Sequence, residues 1–263
     1  MPVIFPTTCF AAALAVSLAT LVVAAQTQEL GTGNHEHPSP AGIPAGEVAH
    51  RVVAVPIAEG VEIEMVEATN GFFIGKYEVT QEQWKALMQT SPFNLIGARR
   101  PAEHVPWYDA QEFIRRANAL ESVQSAGLRF RLPTEDEWEL CCRAGSTNDL
   151  GILASGEVPE LKDVAWYRAT SDQATHEVGT LKPNAWGIYD MFGNVLEMCD
   201  TFVFGGYIIK GGGWFSPATS CRASYRFPMF TYVHHDDLGF RLAADMQMEN
   251  GKPKMENAGG RGK

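Results

Sequence analysis

The sequence predicts an irregular α+β fold in which loops take up much of the chain. Helix start signals occur at only three places, the runs between them are short and β-rich, and 25 glycines and 15 prolines punctuate the whole. Periodic apolar stripes mark helices and strands, whereas Gly, Pro and Asn break them, so few stripes and many breakers mean short elements joined by loop. The first helix starts at Thr80-Gln81-Glu82-Gln83, a capping box with Val79 and Trp84 placed as a hydrophobic staple. Trp84, Leu87 and Met88 form its apolar stripe. The second is expected to start at Asp109, with Glu112 closing the box and Phe113, Ala117 and Leu120 on one face. The third starts at Thr134 with Glu137, has Pro133 and Trp138 as its staple, and stops at Gly145.

The ends read differently. Phe10 to Ala25 is a short apolar run, and Val23-Ala24-Ala25 supplies small residues for cleavage before Gln26, so residues 1–25 are expected to be a signal peptide that directs export. The run is shorter than the roughly 20 apolar residues of a spanning helix, so no stable membrane insertion is expected after cleavage. Residues 26–50 are rich in Gly, Pro and small polar residues and read as a linker, in which His35-Glu36-His37 is a solvated tripeptide with no rigid element to hold a metal. Residues 51–245 form the folded domain, and 246–263 lack apolar periodicity and read as a disordered tail. The formal charge of -10, from 21 basic and 31 acidic residues, excludes the basic face that nucleic acid or anionic lipid needs. Cleavage would remove Cys9 and leave Cys141, Cys142, Cys199 and Cys221 in an oxidising compartment, where residues alone allow three full pairings.

Six blocks occur in one order: FFIGKYEVTQEQWKALM (72–88), HVPWYDAQEF (104–113), FRLPTEDEWELCCRAG (130–145), HEVGTLKPNAWGIYDMFGNVLEM (176–198), KGGGW (210–214) and LGFRLA (238–243). Together they resemble the sulfatase-modifying factor family, whose type member is the formylglycine-generating enzyme. The resemblance implies a loop-rich α+β fold related to C-type lectin-like domains. It also implies a structural calcium held by Asp190, the carbonyls of Gly193 and Val195, and Glu197. Carboxylates and carbonyls are the oxygen ligands that this hard cation takes. Ligands for the family's other calcium site have no counterpart, so that site is expected to be absent.

The family's reaction oxidises a substrate cysteine to formylglycine with oxygen, using two cysteines that bind Cu(I), a soft ion that thiolates select. Counting forward from Gly211-Gly212-Gly213 places Ser216 and Cys221 at those positions. Counting backward from Arg222 and Arg226 makes the segment too short and puts Cys221 just ahead of the next strand. Under either count the thiolate pair is broken. The resemblance instead implies a Cys142–Cys221 disulfide, which would close a loop of about 80 residues and contribute on the order of 4 kcal/mol.

His234-His235-Asp236-Asp237 offers imidazole and carboxylate groups that suit iron, zinc or copper. Neighbours on a strand face opposite ways, so only alternate members converge, and His235 with Asp237 are the candidate pair. His104 and His176 are expected to order loops. Two functions follow. In the first, the chain is an exported, non-catalytic module that binds a protein, peptide or glycan in a groove near Gly211 to Cys221. In the alternative it is a metal- and oxygen-dependent oxidoreductase, acting on protein cysteine or as a related tailoring oxidase, with copper or iron as cofactor.

Overall fold

The computed structural model describes residues 50–68, 72–249 and 252–253. The signal segment, nearly all of the linker with His35 and His37, and the tail beyond Pro253 lie outside the described residues.

Strands β1 (Val52–Ala58) and β2 (Val61–Glu67) form an antiparallel hairpin, and β3 (Phe72–Gly75) pairs with β2. Side chains alternate faces along a strand, so Val55, Ile57, Ile63 and Met65 reach one side of the sheet while Val66 reaches the other. Helix α1 (Gln81–Met88) begins as its sequence dictates: the Thr80 hydroxyl accepts from the Gln83 N–H, and the Gln83 side chain accepts from the Thr80 N–H.

Helix α2 (Trp107–Asn118) corrects the expected start at Asp109. Pro106 is the N-cap and makes no side-chain cap, while its carbonyl accepts from Asp109 and Ala110. Proline's fixed φ presets the turn, so Asp109 falls inside the first turn rather than before it. Glu112 binds Arg115 and Arg116 instead of closing a box. Short α3 (Glu121–Ser125) had no start signal, and β4 (Leu128–Arg131) follows it.

Helix α4 (Glu135–Arg143) carries the second intact box, Thr134 with Glu137. Ala144 takes the left-handed position at φ 48° that was expected nearer Gly145, which itself follows at φ 85°. Thr134→Ala is expected to cost about 1 kcal/mol in urea unfolding, because it orphans one helix-terminal N–H.

A one-turn α5 (Leu161–Val164) leads into β5 (Ala165–Trp166), which pairs with β6 (Phe192–Gly193). Then β7 (Leu196–Val203), β8 (Gly206–Lys210), β9 (Phe227–Phe230) and β10 (Leu238–Gly239) build a four-stranded sheet in the order β10-β7-β8-β9. The chain returns as β11 (Ala243–Met246), which enters the first sheet between β3 and β4 and gives the order β1-β2-β3-β11-β4. Part of the expected tail pairs as β12 (Met248–Glu249) with β13 (Lys252–Pro253).

Both sheets contribute to two apolar cores. One core joins Met65, Phe73 and Ala244 of the first sheet to Met198, Tyr207 and Ile209 of the second, and holds Trp84 stacked on Phe113 with ring centroids 5.8 Å apart. The other joins Val66, Ile74 and Ala243 to Cys199 and Ile208 around Trp138. No helix of the described residues is long and apolar enough to cross a membrane.

Candidate functional site

In the segment from Gly211 to Cys221, the three glycines and Cys221 are packed, while Phe215 and residues 217–219 are exposed. Gly212 sits at φ 72°, and a Cβ there would lie 2.8 Å from the Cys221 sulfur. A Cβ on Gly213 would lie 2.8 Å from the Asp237 side chain. The glycines are therefore required by the close approach of Cys221 and Asp237, which leaves no room for a Cβ. Ser216 closes the turn: its hydroxyl accepts from the Gly213 N–H at 3.0 Å. Cys221 is buried, with its thiol directed at the Pro217 carbonyl, and burial pushes its pKa up to about 12. Ser216 and Cys221 do not fit a Cu(I) pair, because one is a hydroxyl engaged by the backbone and the other resists becoming the thiolate that a soft ion needs.

The expected Cys142–Cys221 disulfide is not formed in the structure. Cys141, Cys142, Cys199 and Cys221 are all free and buried, and burial raises the pKa of each thiol. Iodoacetamide at pH 8 should leave these four unmodified in the folded protein and label all four after unfolding without reductant. Mass spectrometry would reveal a disulfide as two cysteines that stay unlabelled.

Behind the turn lies a buried charge cluster. Arg241, fully buried, donates to both carboxylate oxygens of Glu197 at 2.6 Å each and to the carbonyls of Gly75, Tyr189 and Asp190. The Trp138 indole N–H adds a third bond to Glu197, at 2.6 Å. Glu78 accepts from the Asn194 side chain and the Val195 N–H. Burial raises its pKa well above the ordinary range, and the charges of Asp190 and Glu197 raise it further. Asp190 accepts from the Gly179 N–H through Oδ2, while Oδ1 is buried without a partner, and burial pushes its pKa up to about 6.

The four-ligand calcium set does not fit this arrangement. Glu197 spends its oxygens on a guanidinium and an indole, so a fixed cation already stands against it, and of the two expected carboxylates only Asp190 keeps a free oxygen. Glu78 and Arg241 were not singled out in the sequence. Their signals, a lone acid in KYEVT and a lone base in LGFRLA, are those of any surface charge.

His235 and Asp237 bond to each other through Nδ1 and Oδ1, and Asp237 is buried against Gly213. The alternate members, His234 and Asp236, turn toward His104 instead. His176 stacks on Trp166 at 3.8 Å and contacts the Ser171 carbonyl through Nε2, which orders its loop.

Exposed aromatic side chains gather at the open end of the four-stranded sheet. Phe204, at φ 44°, is fully exposed at the tip of the β7–β8 hairpin. Phe230 lies across from Gly206 on edge strand β9 and stacks on Tyr232 with centroids 5.6 Å apart. Thr231, between them, donates to the Tyr108 hydroxyl at 3.4 Å. Phe202 and Phe227 are also exposed, and Phe202 meets Trp107 edge-on. A cavity between Leu150 and Phe192 and another between Ile63 and Leu242 hold about 10 Å³ each, room for a single water at most.

A family model described as the sulfatase-modifying factor enzyme 1-like domain matches residues 27–246. The chain is 30% identical over 206 residues to the chaperone protein LppX of Paenibacillus barcinonensis, covering 59% of this chain and 73% of that protein. It is 29% identical over 181 residues to the mouse formylglycine-generating enzyme, covering 57% of this chain but only 46% of the enzyme. Among solved structures it superposes on Treponema denticola variable protein 1 with a TM-score of 0.64 at 28% identity, covering 74% of this chain and 99% of that one. The loop-rich α+β fold expected from the sequence is thus the fold of this group.

Proposed function

We infer that this chain, which belongs to the sulfatase-modifying factor enzyme 1-like domain family, acts as a non-catalytic module that docks a protein partner on its aromatic sheet edge. The observation that carries this is the cluster of Phe204, Phe230, Tyr232 and Tyr108 around the free edge of β9. Exposed aromatic patches of this kind are energetic anchors of protein interfaces, and an unpaired strand edge offers backbone bonds to an incoming chain. The likeness to a protein named a chaperone supports the same class of partner. The engaged hydroxyl of Ser216 and the high pKa of Cys221 speak against the family's thiol oxidation. Export, which the apolar segment Phe10–Ala25 would direct, belongs to the same reading.

A photo-crosslinking amino acid placed at Tyr232 tests it in cells of the source organism, with Ile96, 72% exposed, as the control position. Discrete heavier species from position 232 and none from 96 are expected, and Phe230→Ser should abolish them. Equal labelling at both positions, or none at 232, would overturn the reading, as would turnover of a cysteine peptide with oxygen uptake by the purified protein.

A further inference from the structure

The loop before α2 and the segment before β10 bring three metal-ligating groups together from distant parts of the chain. One carboxylate oxygen of Glu103, one imidazole nitrogen of His104 and one carboxylate oxygen of Asp236 lie within 4.8 Å of one another. Glu103 is fully buried. Its Oε1 accepts from the N–H groups of Asn94 and Leu95 at 2.5 and 3.1 Å, which fix the carboxylate, yet Oε2 is buried with no partner. A buried carboxylate oxygen left unpaired is costly, and its presence points to something that completes it.

His104 Nδ1 lies 3.0 Å from Asp236 Oδ1, and the same oxygen accepts from the Asn94 side chain at 2.7 Å. Neither carboxylate is paired with a lysine or arginine among the described residues. The cluster is thus two carboxylates and one neutral-capable imidazole, closed on the Glu103 side and open where Asp236 is half-exposed. The His234 ring stands edge-on to His104 at 4.5 Å, beside that open side.

We propose that Glu103, His104 and Asp236 form a binding site for a zinc-class divalent cation. Imidazole selects borderline transition ions over calcium and magnesium, and the carboxylates supply charge. Three protein ligands with an open fourth position are a common zinc arrangement, the fourth being water or His234. Ligands at about 2.0–2.2 Å from a tetrahedral ion sit roughly 3.4 Å from each other, so the cluster needs only a small contraction. Asn94 then acts in the outer shell, holding both Asp236 and the Glu103 carboxylate. The ion would clip the Phe93–His104 loop to the segment that follows Tyr232, where His104 N–H already donates to the His235 carbonyl at 3.1 Å. The proposal stands independently of any partner.

The test is zinc titration of the chelator-stripped full chain against a chromophoric competitor. One zinc per chain is expected, with a rise in Tm. Glu103→Gln keeps the oxygen that accepts from Asn94 and Leu95, His104→Asn tolerates the left-handed backbone at φ 61°, and Asp236→Asn is at the surface, so all three should fold. Each should weaken zinc binding about tenfold or more. His235→Ala should not, and cobalt in place of zinc should give visible absorption that His104→Asn alters. Absence of zinc binding by the folded wild type would overturn the proposal. So would binding that survives all three substitutions, or that disappears with His35→Ala and His37→Ala instead.

Discussion

Replacing Arg241 by alanine is expected to remove about 3–5 kcal/mol of stability, the cost of deleting one partner from a buried ion pair. The guanidinium is fully buried and is the positive group that all three carboxylates of the cluster face. Without it Glu197, Asp190 and Glu78 would lie buried against one another, and the carbonyls of Gly75, Tyr189 and Asp190 would each lose a donor. Arg241→Lys should recover only part of the loss, because one ammonium cannot reproduce the forked bond to Glu197 and still reach three carbonyls. Urea unfolding measures this directly. A double change, Arg241→Met with Glu197→Gln, should cost less than the sum of the singles, since each single leaves a charge that the double removes. A loss below about 1 kcal/mol for Arg241→Ala would mean the cluster is solvated, contrary to its burial.

The second large effect is a pH dependence that runs against the usual carboxylate trend. Burial raises the pKa of Asp190 to about 6 and that of Glu78 well above its ordinary range, so the folded state holds protons that the unfolded state has released. A carboxyl whose folded pKa is raised contributes stability that is fully present below its unfolded pKa, here near 3.8, and loses it as pH climbs to the folded value. The contribution of Asp190 should therefore fall between about pH 4 and pH 6.

Asp190→Asn removes that penalty, keeps an oxygen for the Gly179 N–H, and suits the left-handed backbone at φ 55° better than most side chains. It should raise stability at pH 7 by on the order of 1–3 kcal/mol and flatten the slope between pH 4 and 6. Urea unfolding at pH 5 and pH 7, with and without calcium, decides the matter. If Asp190→Asn were destabilising at pH 7 only when calcium is present, an ion would be completing Oδ1 after all.

Local chemistry was legible and convergence was not. The Thr80 and Thr134 boxes were read correctly because every group they need lies within four residues, and the turn-breaking glycines announced a loop-rich chain. The observed cap of α2, Pro106, lies three residues before the expected Asp109, because proline's preset φ outweighs the Asp109–Glu112 pattern. The broken thiolate pair at Ser216 and Cys221 was visible as letters, whereas the filling of Gly212 and Gly213 by their neighbours was not. Glu103 reads as an ordinary acid because 133 positions separate it from Asp236, and residues 234–237 precede β10 as loop, so the strand alternation expected of His235 and Asp237 does not apply to them. Arg241 meets Glu197 across 44 positions, which no local pattern records.

The position of β11 has a consequence for how the molecule is made. Asp245 pairs with Phe72 on one side and Arg129 on the other, so the join between β3 and edge strand β4 stays open until almost the whole domain has left the ribosome. Closing contacts over such sequence separations is entropically slow, and a nascent chain that ends before Ala243 presents two raw strand edges, β3 and β4, with nothing between them. The first sheet can therefore be completed only once residues 243–246 are available to join β3 to β4.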